Sequence, residues 1–195
     1  AFSSGLLLFG CSLIYGFTGV TNFSELARIF TGGTQEFLIS TTALPACELG
    51  MVFLLVGFLF KITAVPFHMW SPDVYEGAPT PVTAFFLIVP KAALFGVFLR
   101  IFGESFYDFI LPWQKILVVS SIASMILGSI AALSQTRIKR LLAYSSIGHV
   151  GYLLAGFACG TIEGIQALLI YLFVYIFMNI TMFAIILSAL RREHL

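Results

Sequence analysis

The chain has 195 residues, 59% of them hydrophobic and 10% charged, including 21 Phe, and a mean hydropathy of +1.03, a profile that excludes a water-soluble globular domain. A formal net charge of +1 provides no basic stripe, so no nucleic-acid partner is expected. Cys11, Cys47 and Cys159 have neither CxxC nor His-paired spacing and lie in or beside apolar runs, where they read as small packing residues rather than metal ligands or a disulfide.

The apolar segments are about 20 residues long and lack the strict alternation of an outer-membrane barrel, so the expected fold class is an all-α integral membrane bundle. Six helices are predicted. The first runs from Ala1 to about Phe17 and opens inside an apolar run with no Met, basic flank or cleavage pattern, as a piece of a longer chain would. The connection from Thr18 to Pro45 contains "NFSELARIF", which has the pattern of a short amphipathic helix on the membrane surface, capped by Asn22 or Ser24. A second helix, about Ala46 to Lys61, has a short continuation after Pro66. The third covers about Pro81 to Phe102, the fourth about Trp113 to Leu133, the fifth about Ile138 to Phe157 and the sixth about Glu163 to Leu190. Residues 1–195 thus read as a single transmembrane helical region, a fragment of a larger subunit.

Lys and Arg in the short connections orient these helices. The turn "QTRIKR" holds Arg137, Lys139 and Arg140, and two crossings later the tail adds Arg191 and Arg192 on the same side. Arg28, Arg100 and Lys115 fall on the opposite side. The first side is therefore assigned to the matrix or cytoplasm, with the second helix running inward and the third returning.

Two lysines interrupt the apolar pattern, and a charged group at the centre of a membrane helix costs roughly 2.5 to 3.5 kcal/mol on insertion scales. Lys91 lies ten residues after Pro81, about 15 Å into a hydrocarbon core about 30 Å thick. Its helical neighbours Leu87, Ile88, Leu94 and Phe95 provide no polar partner, so it must face another helix or water inside the bundle. Lys61 ends the apolar run that starts at Leu49, about 18 Å along the helix. Pro66, lacking an N–H, clashes with the carbonyl four residues back, so the helix is expected to break just after Lys61 and leave carbonyls to be satisfied by protein or water. Such broken helices line ion pathways in transporters. Pro72, Pro79 and Pro81 turn the chain at the surface. No Asp or Glu shares the depth of the lysines: Glu48 begins the second helix, and Asp73 and Glu76 lie in the following loop. A lysine kept from water can gain and lose a proton near neutrality, as a proton relay requires, but a structural ion pair is the alternative.

"LLAYSSIGHVGYLL" places Ser145, Gly148, His149 and Tyr152 on one helical face. His149 suits a relay because imidazole carries protons near neutral pH, although a membrane histidine can also simply hydrogen-bond between helices. Tyr171, Tyr175 and Asn179 align on the last helix and read as packing and interhelical hydrogen bonding. His68 and Trp70 fit an aromatic belt or a capping role as well as they fit catalysis. No haem or iron–sulfur ligand set, G-x-G-x-x-G or P-loop is present, so no cofactor is expected on this chain.

The stretch "FKITAVPFHMWSPDVYEGAPTPVTAFF", followed by "VPKAALFGVFLRIF" and "RLLAYSSIGHVGYLLAGF", resembles the antiporter-like membrane subunits of respiratory complex I. It is most similar to the NADH dehydrogenase subunit 2 type in its plant-mitochondrial form. The resemblance covers essentially the whole chain. It implies part of a fold of about fourteen helices, built from two inverted repeats with a broken helix in each. By motif, Lys61 corresponds to the lysine of the first broken helix, Lys91 to the lysine that passes protons toward the centre, and His149 to a polar position on the route to the second half. The glutamate that pairs with the broken-helix lysine is implied to lie upstream of Ala1. The implied activity is proton translocation across the mitochondrial inner membrane. NADH, FMN, iron–sulfur clusters and ubiquinone would be held elsewhere in the complex, and other membrane-arm subunits and lipid would be the partners. An Mrp-type cation/proton antiporter subunit and a purely structural membrane subunit are the rival readings.

Overall fold

The computed structural model describes residues 1–31 and 44–193, apart from the side chains of Asp108 and of residues 190–193. Part of the long first connection, and the Arg191 and Arg192 side chains used above for orientation, fall outside this description. The described residues form α1 (Phe2–Thr18), α2 (Phe23–Phe30), α3 (Leu44–Lys61), α4 (Trp70–Gly77), α5 (Thr80–Arg100), α6 (Ile110–Leu133), α7 (Ile138–Ala158) and α8 (Ile162–Glu193), and contain no strand. Five of these, α3 and α5 to α8, are long and apolar enough to cross a membrane; α1 and α2, bent by 61°, add a sixth if they count as one span.

Lipid is as apolar as a leucine side chain, so close packing and interhelical hydrogen bonds, rather than the hydrophobic effect, hold such helices together. Small residues do this in two places. In the α1–α3 pair, a Cβ added at Gly10 would stand 2.7 Å from the Gly50 carbonyl oxygen. In the α6–α7 pair, a Cβ at Gly128 would stand 2.5 Å from the Gly148 nitrogen, and Ser121 Oγ donates to the Gly151 carbonyl at 2.7 Å. Gly128→Ala must therefore push α6 away from α7 and is expected to cost about 1–3 kcal/mol. The thermal midpoint of the purified full-length protein should fall for Gly128→Ala but not for Gly96→Ala, where an added Cβ meets nothing within 4 Å.

At one end of the bundle, the segment after α3 meets the α6–α7 turn. Glu76 pairs with Arg137 and with Arg140 at 3.3 Å, Asp73 pairs with Arg140 at 3.0 Å, and Lys139 Nζ donates to the Ala78 carbonyl at 2.9 Å. At the other end lies α2, whose N-terminus is capped by Asn22 Oδ1, 3.1 Å from the Ser24 N–H. Leu26 and Ile29 of α2 are buried, and the Phe23 carbonyl accepts from Ser105 Oγ at 3.1 Å. The amphipathic face read from the sequence thus rests on the turn where α5 widens into a π-helix, Ile101–Ser105. Between the ends, rings from α3, α5 with its π-helical turn, α6 and α7 fill the interior, among them Phe58, Phe98, Phe102, Trp113 and Phe157. Trp113 stacks on Phe157 at 5.1 Å.

Candidate functional site

On α5, Leu87, Lys91, Phe95 and Phe98 recur at intervals of four and three and are all buried, forming one inward face. Lys91 is 1% exposed. Its Nζ donates to Ser146 Oγ of α7, and that oxygen lies 2.7 Å from the Tyr175 hydroxyl of α8. Tyr175 in turn donates to the Leu87 carbonyl at 3.3 Å. An ammonium only donates and each hydroxyl has one proton, which fixes the order: Lys91 donates to Ser146, Ser146 to Tyr175, and Tyr175 to Leu87. The Tyr75 ring of α4 covers Nζ at 6.0 Å, within cation–π reach. Among the described residues no carboxylate pairs with Lys91.

His149, one turn along α7, is half-buried. Its Nδ1 pairs with the Tyr171 hydroxyl at 2.7 Å, and its ring centre lies 5.4 Å from that of Tyr175. Polar groups therefore adjoin one another from Lys91 through Ser146 and Tyr175 to His149 and Tyr171. Ser145 and Tyr152 share with Gly148 and His149, as their spacing indicates, one cleft of about 180 Å³ beside Gly128 and Ser129, which Lys91, Ser146 and Tyr175 do not line. Tyr152 is half exposed, and its ring meets that of Tyr171 at 6.0 Å. The hydroxyl on Lys91 is Ser146, one residue away from the serine singled out in the sequence. The Tyr171 and Tyr175 stripe supplies the interhelical hydrogen bonds read from it, and both partners belong to this site.

Lys61 is the last residue of α3 and is exposed. It lies in a groove with Ser3 and Ser4 of α1, Trp70 of α4, and Phe86, Pro90 and Ala93 of α5. Pro90 and Ala93 flank Lys91 in sequence, so the two lysines sit at one level. They are not brought together: Lys91 does not line this groove and belongs to the inward face of α5. Pro90, inside the helix, has no N–H to give the Phe86 carbonyl, so this groove also contains a backbone acceptor without its helical partner. The sequence reading passed over that proline. Between the lysines stands α4: Trp70 stacks on Phe60 at 5.9 Å and meets Tyr75 edge-on at 6.1 Å.

The helix ends at Lys61, where the break was expected. Thr63 takes φ 67°, a left-handed conformation that costs a residue with a Cβ roughly 1–2 kcal/mol, and the Ala64 N–H reaches back to the Leu59 carbonyl at 2.9 Å. The expected continuation begins only at Trp70. The interrupted backbone is satisfied by protein groups. Trp70 Nε1 donates to the Phe60 carbonyl at 3.1 Å, the Val65 N–H to Ser124 Oγ at 2.9 Å, and Ser120 Oγ to the Val65 carbonyl at 2.6 Å. Pro66 itself is exposed, against a groove lined by Leu59, Phe67, Ile116 and Val119. Thr63 Oγ1, His68 Nδ1 and Ser71 Oγ are buried without a hydrogen-bond partner among the described residues, so this segment retains unused bonding capacity between Lys61 and Tyr75.

A helix broken beside Lys61 and a second lysine buried among hydroxyls on a neighbouring helix are features that recur in membrane bundles of the transporter type. The chain belongs to the NADH:quinone oxidoreductase/Mrp antiporter transmembrane family, whose family model matches residues 1–195. It is similar to NADH-ubiquinone oxidoreductase chain 2 of Marchantia polymorpha, with 63% identity over 188 residues that cover 96% of this chain and 38% of that protein. A chain of respiratory complex I from Thermus thermophilus shares the fold with a TM-score of 0.73 and 34% identity, covering 95% of this chain and 37% of that one. A chain of the Mrp complex from a Dietzia species matches with a TM-score of 0.76 and 26% identity, over 94% of this chain and 33% of that one. The chain spans less than two fifths of the length of each of these relatives.

Proposed function

We propose that this chain is part of a complex I membrane subunit of the chain 2 type that translocates protons across the mitochondrial inner membrane. Electron transfer from NADH to ubiquinone, with FMN and iron–sulfur clusters, takes place elsewhere in the complex. Other membrane-arm subunits and lipid are its partners. The observation that carries this reading is the buried Lys91 with its ordered hydroxyl chain. The 63% identity to a complex I chain, against 26% to an Mrp chain, favours complex I over the Mrp antiporter alternative.

In this mechanism the Tyr175 hydroxyl first turns from the Leu87 carbonyl toward His149, which Tyr171 holds through Nδ1. Lys91 Nζ then passes a proton to Ser146 Oγ as Ser146 releases its own to the Tyr175 oxygen and Tyr175 releases its own to His149, leaving a neutral lysine and an imidazolium. Lys61, in the groove beside Pro90, is the group that loads Lys91 by way of the α4 segment. Ser145 and Tyr152 line the cleft on the outer side of His149. Pro66 prevents α3 from continuing past the break.

Lys61→Met in the full-length protein of an assembled complex tests this. Protons translocated per NADH should fall by about tenfold or more, while NADH oxidation by an artificial acceptor stays unchanged. If the lysines are only structural staples, the amount of assembled complex falls instead and pumping per complex remains normal.

A further inference from the structure

We propose that Ser120 and Ser124 are positioning residues that hold the break after α3 in place and couple it to α7. This rests on the proton-transfer reading above. Both backbone polar groups of Val65 are gripped by α6, the N–H by Ser124 Oγ at 2.9 Å and the carbonyl by Ser120 Oγ at 2.6 Å. The two serines are four residues apart, hence on one helical face, and are 4% and 0% exposed. A serine within a membrane helix commonly bonds back to its own chain, as Ser129 does to the Met125 carbonyl on this same helix. Ser120 and Ser124 instead direct their hydroxyls across to the broken segment. Ser121, between them, donates to the Gly151 carbonyl of α7, two residues from His149. One turn of α6 therefore clasps the break on one side and the helix of Ser146 and His149 on the other. A shift of Val65 moves the end of α3, where Lys61 sits, and is passed through α6 to the far half of the relay.

The test uses the full-length protein in assembled complex reconstituted into vesicles, with Lys91→Ala as reference. Ser120→Ala with Ser124→Ala should lower protons translocated per NADH by at least about threefold per assembled complex, the factor equivalent to one average membrane hydrogen bond. The paired change to Thr, which restores both hydroxyls, should recover most of the loss. Backbone amide exchange over residues 64–67 should rise in the alanine pair and not in the threonine pair. Should the alanine pair fail to assemble, Ser124→Ala alone is read on the same two measures. Normal pumping by the alanine variants while Lys91→Ala is inactive overturns the clasp and leaves the relay standing. Equal impairment of the alanine and threonine pairs also overturns it. Normal pumping by Lys91→Ala removes the relay and the clasp with it.

Discussion

Lys91→Arg in the full-length protein is expected to lower proton translocation per assembled complex by about 100-fold, the loss typical of removing a proton-transfer group. Arginine keeps the positive charge and the donors to Ser146 but stays protonated at any physiological pH. The substitution therefore separates a site that must release a proton from one that needs only a cation. Lys91→Met, of similar length and without charge, should be equally inactive in pumping. The measurement is proton uptake into vesicles per NADH oxidised, with oxidation by an artificial acceptor as the control for the rest of the complex. If the arginine variant pumps at the wild-type rate, charge alone is what this position supplies.

The second large effect is expected at His149. Phenylalanine preserves the ring's bulk between Tyr171 and Tyr175 but removes the Nδ1 partner of Tyr171, and His149→Phe should reduce pumping per assembled complex by about tenfold or more. His149→Gln retains one hydrogen-bonding group at a similar place and should keep a measurable fraction of the rate. A histidine that only packs α7 against α8 predicts the opposite pattern: both variants assemble less well and turn over normally once assembled. Wild-type turnover in both variants would end the case for His149 as a relay.

Helix positions were readable because membrane segments are long, apolar and bounded by turn residues; α7 begins at the predicted Ile138 and ends one residue past the predicted Phe157. The two lysines were equally legible, since a charge inside an apolar run is conspicuous by composition alone. What they face was not. Spacing correctly grouped Ser145 with His149 and Tyr152, but which face of α7 meets α5 depends on how the helices cross, and that crossing turns Ser146 toward Lys91. Ser120 and Ser124 carried no signal, because a small residue in an apolar helix looks the same whether it packs or bonds. The break after Lys61 was visible through Pro66, but the left-handed turn at Thr63 is a matter of backbone geometry, and the partners of Val65 lie 55 and 59 residues further along the chain.

The proposed relay through the hydroxyl chain on Lys91 would also impose a rule of traffic. Once a proton had hopped from Nζ through Ser146 and Tyr175 to His149, each hydroxyl would be left pointing back toward the lysine, and a second proton could not follow until both had rotated. In that relay Ser146 and Tyr175 would work as a turnstile that admits one charge per reset. A file of mobile water molecules reorients freely and imposes no such count. With rotors this tightly packed, whatever loosens the contact between α7 and α8 also sets the tempo at which the gate rearms.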